Sequence, residues 1–155
     1  MTFTILPHSV LVVALVHSDM QKLFNTAVPD APFQIIAMQG MRTREEELNL
    51  WLHCHNPDGS RNGHPWLTNC NGTPVGETSP EGYAGTGVSR HQSGHALDIG
   101  VMVAGKMVWD SPHYKAMQDH MQLVADRLGI KIVLGATFHT PDPDHVELDP
   151  DVYPV

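Results

Sequence analysis

Two short segments of this chain hold residues that could build a hydrolytic metal centre. Ser89-Arg90-His91-Gln92-Ser93-Gly94-His95-Ala96-Leu97-Asp98 offers an imidazole, His91, and a carboxylate, Asp98, seven residues on. Asp142-Pro143-Asp144-His145 offers a second imidazole with a carboxylate three residues before it. Two imidazoles and one carboxylate are a common catalytic zinc set, with the fourth position left open to water. The spare carboxylate, Asp142, is then the general base that a metal-activated water needs. The chain has 11 histidines, and an isolated histidine is more often a surface or hydrogen-bonded residue than a ligand. His8, His17, His53, His55, His64, His113, His120 and His139 are therefore given no role, and His95 is left out of the catalytic set. The paired context lifts His91, Asp98 and His145 above that background.

The flanking pattern says how these side chains could converge. Residues 96–103 read as a strand in which Asp98 shares a face with Ala96 and Gly100, while Leu97, Ile99 and Val101 point into the core. Gly94 and Ala96 let the chain turn tightly between His91 and that strand. His145 opens a further strand candidate, 146–148, where alternation puts Glu147 on the same side as the histidine. Glu147 is thus a candidate partner that orients a ligand. If the two strands are neighbours, three ligands meet with one position free.

The remaining elements form a small frame. Residues 9–27 have helical character, with Leu11, Leu15, Met20, Leu23 and Phe24 on one face, and Asp30-Ala31-Pro32 breaks the helix. Residues 33–38 read as a strand ended by Gly40. Thr43 caps a second helix with Glu46 in the capping-box position, running to about Trp51 or His55. Residues 111–128 read as a helix with Met117, Met121, Val124 and Leu128 as its stripe, stopped by Gly129, and 130–134 as a strand. The pattern is α+β: a small antiparallel sheet with helices packed on one side. Residues 56–88 are dense in Gly, Pro, Asn, Ser and Thr; a loop this long fits a rim or lid on the site and equally a surface insertion.

A chain of 155 residues is the size of one domain, and residues 1–155 read as a single catalytic domain. A net charge of -8 excludes non-specific binding to nucleic acid and stable association with anionic membranes. The apolar run from Val10 to Val16 follows no Lys or Arg and precedes no small-residue cleavage site. It is also far shorter than the roughly 20 residues of a membrane helix. It reads as core, and no export signal is recognised. Cys54 and Cys70 are too few for a disulfide framework; a single bridge fits an oxidising compartment, reduced thiols a cytosolic one. Asp58-x-Ser60-x-Asn62-Gly63 mimics the start of a calcium loop, but its twelfth position is Asn69, so an ordinary turn is the better reading.

The pairing of S-x-H-x-x-G-x-A-x-D with acid-x-x-H resembles the M15 family of zinc D,D- and L,D-peptidases, which includes VanX-type dipeptidases, VanY-type carboxypeptidases and phage endolysins. Ser89, His91, Gly94, Ala96 and Asp98 fill every fixed position of the first part. Asp142 stands where many members have Glu, as in the L-alanyl-D-glutamate peptidase branch. Gly40-Met41-Arg42-Thr43-Arg44-Glu45-Glu46-Glu47 is similar to that branch's G-x-R-T-x-x-E-Q, with Glu47 in place of glutamine. Val16-His17-Ser18-Asp19-Met20 is similar to its V-H-P-D-L segment, and Asp144 to Leu148 loosely to P-H-F-E-L. Residues 56–88 depart from the family.

The resemblance implies a hedgehog/D-Ala-D-Ala-peptidase-like fold and one Zn2+ per chain on His91, Asp98 and His145, with Asp142 as base. It implies that Arg42 stabilises the oxyanion or holds a substrate carboxylate. As a mere surface charge, Arg42 would sit unfavourably at a helix start. Ser89 would place substrate near the metal, or serve only as a turn residue. The expected activity is cleavage of the L-alanyl-D-glutamate bond of the peptidoglycan stem peptide by a monomeric endolysin. Such an enzyme would lack a separate wall-binding domain and be held in the host cytoplasm until lysis. The alternatives are a D-alanyl-D-alanine carboxypeptidase or dipeptidase on the same scaffold, a zinc-binding module without activity, and an unrelated metal-dependent hydrolase.

Overall fold

The computed structural model describes residues 2–46, 89–139 and 141–155. The expected 56–88 loop, Cys54, Cys70, the Asp58 turn and most of the helix begun at Thr43 lie outside the described residues. The start of that helix is present. Thr43 N–H donates to Glu46 Oε2 at 2.7 Å and Glu46 N–H to Thr43 Oγ1 at 3.2 Å, the reciprocal capping box that the sequence predicts.

Two helices, α1 (Pro7–Val13) and α2 (Ser18–Asp30), lead into strand β1 (Gln34–Gln39). A single 3-10 turn, Arg90–Ser93, precedes β2 (Ala96–Val103), which turns back into β3 (Lys106–Val108). Helix α3 (Ser111–Leu128), β4 (Ile132–Leu134), a 3-10 turn at Gly135–Thr137 and β5 (His145–Leu148) complete the chain. The sheet order is β1-β2-β5-β4, all antiparallel, with β3 also paired to β2.

Alternation sorts the sheet into two faces. Leu97, Ile99, Val101, Val146 and Leu148 are fully buried against Met20, Leu23 and Phe24 of α2 and Met117, Met121 and Val124 of α3. Each such side chain contributes roughly 1.5–3 kcal/mol by leaving water. His120 Nε2 meets Ala27 O at 2.9 Å and clasps the two helices together. The opposite face carries Asp98 and His145, direct partners in the β2–β5 register.

The N-terminal expectation needs correction. The predicted 9–27 helix is two helices, broken around Ala14–His17, and Leu11 and Leu15 are 71% and 65% exposed. The break redirects the chain, so the stripe of the second helix no longer continues through the first. Only Met20, Leu23 and Phe24 of the predicted face are buried. The β2–β3 hairpin was not anticipated: Ala104 (φ 49) and Gly105 (φ 76) form its turn, and an alanine gives no hint of a left-handed position.

Candidate metal centre

His91 is placed by local structure. Ser89 caps the 3-10 turn, its Oγ accepting the N–H of His91 at 3.3 Å, and both residues are buried. Gly94 ends the turn in the left-handed region at φ 71, and a Cβ there would come within 3.2 Å of Leu15 O and Val16 Cα. Only glycine suits both demands. The close approach lets Gly94 O accept from His17 N–H at 2.8 Å, while His17 Nδ1 accepts from Asp19 N–H at 3.2 Å and caps α2. The Val16-to-Met20 segment is thus the clamp that holds the His91 turn to the helical layer.

Asp98 and His145 are placed by the sheet and by remote contacts. A bulge in β1 between Ala37 and Gln39 sets Gln39 opposite Asp98. The 142–145 turn is tied by Asp142 N–H to Gly135 O at 2.9 Å and by Ile99 N–H to Asp144 O at 2.8 Å. Gln118 of α3, 3% exposed, donates to Pro143 O at 2.7 Å. Gly135 leaves no room for a side chain: a Cβ would run into Asp142 O and approach His145 Cβ within 2.9 Å.

Three ligand atoms meet as a result. His91 Nε2, Asp98 Oδ1 and His145 Nδ1 are separated by 3.2, 3.1 and 3.3 Å. A tetrahedral ion with bonds of about 2.0–2.1 Å holds its ligand atoms about 3.3 Å apart. The triangle fits such an ion in edge length and donor chemistry, and the three residues could hold a metal. Every ligand is also oriented from behind. His91 Nδ1 meets Gly40 O at 2.7 Å, which leaves Nε2 as the lone-pair nitrogen. His145 Nε2 meets Glu147 Oε2 at 3.0 Å, and Arg42 donates to Asp98 Oδ2 at 3.0 Å. Such partners fix tautomer and ring angle and raise ligand basicity.

Charge follows the same pattern. Burial alone would raise the pKa of Asp98; the charge of His91 and hydrogen bonds from both imidazoles overcome it and hold the carboxyl well below the ordinary range. Burial would lower His145, but hydrogen bonds to Asp98 and Glu147 and their charges push it up to about 9. A cation at this point therefore takes over the role of a proton. Asp144 is pushed up to about 7 by burial, by a hydrogen bond with Asp142 and by the negative charge of Asp98.

The sequence-predicted residues divide accordingly. His91, Asp98 and His145 are brought together, and Glu147 stands behind His145 as alternation implies. Arg42 is buried and its guanidinium grips Asp98 and, at 2.8 Å, Gln39 Oε1. Ser89 caps the turn. Asp142 lies in the turn before His145, with its carboxyl group bonded to that of Asp144. His95 is outside the triangle, its Nδ1 meeting Ser93 O at 2.9 Å. Gly135, Gln118, Gln39 and the carbonyl of Gly40 were missed. Gln118 left one signal, a polar residue beside the apolar stripe of α3.

No protein-family profile and no curated protein matches the chain. Among solved structures it is similar to the L-Ala D-Glu endopeptidase ChiX of Serratia marcescens, with 19% identity, a TM-score of 0.72 and coverage of 96% of this chain and 92% of that one. The fold is that of this endopeptidase. A zinc-bound mutant of the vancomycin-resistance D,D-pentapeptidase VanY, from a VanB-type cassette, matches at 20% identity and a TM-score of 0.48, over 83% of this chain and 67% of that one.

Proposed function

We propose that this chain is a zinc-dependent peptidoglycan peptidase that hydrolyses the L-alanyl-D-glutamate bond of the stem peptide, an endolysin-type activity that lyses the bacterial wall. The observation that carries the reading is the His91–Asp98–His145 triangle, with tetrahedral spacing and a partner behind each ligand, set in a fold shared with an L-Ala D-Glu endopeptidase. Among the described residues no helix is long and apolar enough to cross a membrane.

Bound zinc would polarise the scissile carbonyl and lower the pKa of water to about 7. The rest of the chemistry belongs to the chain. Asp142 takes the proton of the attacking water on a carboxylate oxygen and passes it to the leaving amine. Asp144, whose carboxyl shares a hydrogen bond with that of Asp142, fixes its direction. Arg42 aims Asp98 through its bond to Oδ2; its five-donor fork can also meet the oxyanion or a substrate carboxylate. Ser89, turned toward the His91 N–H, holds the ligand loop beside the bound peptide.

The test is mass spectrometry of purified peptidoglycan digested by the zinc-loaded protein. Fragments with a new N-terminal D-glutamate are expected. Release of free D-alanine alone would overturn the assigned bond in favour of the carboxypeptidase. Asp142→Ala should abolish turnover while zinc still binds; wild-type turnover in that variant would remove Asp142 as the base.

A further inference from the structure

Next to the metal centre the sheet has a gap. β5 and β3 lie on the same edge of β2, β5 beside Ala96–Asp98 and β3 beside Val101–Val103. Between them, at Ile99, the edge is met by the carbonyl of Asp144. A pocket opens there, lined by Trp109, Asp110, Ser111, Tyr114, Pro143 and Asp144. It adjoins the metal centre along the chain, since Asp144 immediately precedes His145.

The lining has a consistent chemistry. Trp109 is 66% exposed and lies nearly parallel to Tyr114, at 17° and 6.0 Å between ring centroids. Tyr114 is 3% exposed; the Val101 N–H faces its oxygen, and among the described residues no acceptor receives its proton. Burial pushes that hydroxyl up to about 12, helped by the negative charges of Asp144 and Asp110. Asp110 Oδ1 also accepts from the His113 N–H at 3.2 Å and meets its Nδ1 at 2.6 Å. Among the described residues no lysine or arginine lines the pocket.

Two carboxyl groups, an exposed indole and the Ser111 hydroxyl suit a cation. An anion would be repelled, and an apolar group would desolvate the carboxylates without return.

We propose that this pocket binds a primary ammonium group, the side-chain amine of the diamino acid in the stem peptide, with Trp109 as the ring face, Asp110 as the counter-charge and Asp144 as a further carboxyl wall. The identity of that amine rests on the peptidase reading above. The pocket is then a specificity subsite: it selects peptides whose diamino acid keeps a free amine.

The test compares L-alanyl-γ-D-glutamyl-L-lysyl-D-alanine with its Nε-acetylated form, using zinc-loaded protein. The wild type should prefer the free amine by about tenfold in kcat/KM, mostly through KM. Trp109→Ala should bring that ratio close to one by slowing the free-amine peptide much more than the acetylated one. Equal rates on both peptides in the wild type would overturn the subsite, as would a uniform slowing of both by Trp109→Ala. A binding measurement separates this from the peptidase reading. The indole N–H resonance of Trp109 should shift with n-pentylammonium and not with 1-pentanol; no ammonium-specific shift overturns the pocket. An ammonium-specific shift with neither peptide cleaved supports the pocket and overturns the peptidase reading instead.

Discussion

The two segments that supply the ligands are built in opposite ways. The 89–98 segment supports itself: Ser89 caps its turn, Gly94 ends it, and β2 follows two residues later. Its outside ties, among them His17 N–H to Gly94 O, Arg42 N–H to His91 O and Gly40 O at His91 Nδ1, are added to a turn that is already capped at both ends. The 142–145 segment has one backbone bond of its own, His145 N–H to Asp142 O at 3.2 Å, and no capping side chain or left-handed glycine. It is held by Gly135, just upstream, and by Gln118 of α3 and Ile99 of β2, both distant in sequence. One half of the centre is ordered by its own capped turn as well as by its neighbours, the other mostly by its surroundings. Disturbances in the second half should therefore reach further than the residue that is changed.

Loss of a ligand sets the upper limit and should not distinguish the halves. His91→Ala, Asp98→Ala and His145→Ala each leave two ligands, and bound zinc after dialysis, read by atomic absorption, should fall from one per chain to none. Retention of stoichiometric zinc by any of them would break the three-ligand assignment.

Gly135→Ala tests the second half alone. Its methyl has to displace the Asp142 carbonyl, so the turn moves and His145 with it. Overpacking of this kind costs about 1–3 kcal/mol. Zinc affinity and turnover should collapse while amide signals of 89–94 stay in place. Uniform shifts across both segments would mean the halves are not independent.

This contrast also explains how much was legible in sequence. His91, Asp98 and His145 could be found because their types and spacing carry the chemistry, and Glu147 because strand period is 2. Ala96–Val103 and Ser111–Leu128 matched their alternation and stripe because each is bounded by local signals, Gly94, Pro112 and Gly129 among them. Leu11 and Leu15 misled because a helical period cannot show that the chain bends at Ala14–His17. Gly135 was invisible because the close approach of Asp142 appears only once the turn is folded, and Gln118 showed only as a polar residue beside an apolar stripe, its partner lying across the fold.

Glu147→Gln sharpens the comparison from the ligand side. The variant keeps the shape behind His145 but removes the charge, and zinc affinity should fall about 10–100-fold. It also bears on pH. His145 has a folded pKa raised to about 9, above its ordinary 6.5, so in metal-free protein it contributes stability fully present below 6.5 and lost as pH rises through 9. The Tm of the metal-free wild type should drop between those values, and that drop should shrink in Glu147→Gln. An equal drop in both would show that Glu147 does not set the proton affinity of His145.

The smallest change concerns the tether from α3. Gln118→Met conserves bulk in a buried position but removes the 2.7 Å bond to Pro143 O. A hydrogen bond of this kind is worth about 1 kcal/mol, with an added cost for the carbonyl left unpaired. If the 142–145 turn is positioned by its surroundings, part of that loss should appear as a few-fold weaker zinc affinity, since His145 is reached through Pro143 and Asp144. If Gln118 only stabilises the fold, chemical denaturation of the metal-free protein will register the whole loss and zinc affinity will stay unchanged. Capping-side disruption at Ser89→Ala provides the control. There the ligand is held by its own turn and by Gly40, so the same experiment should show lost stability with His91 still in register.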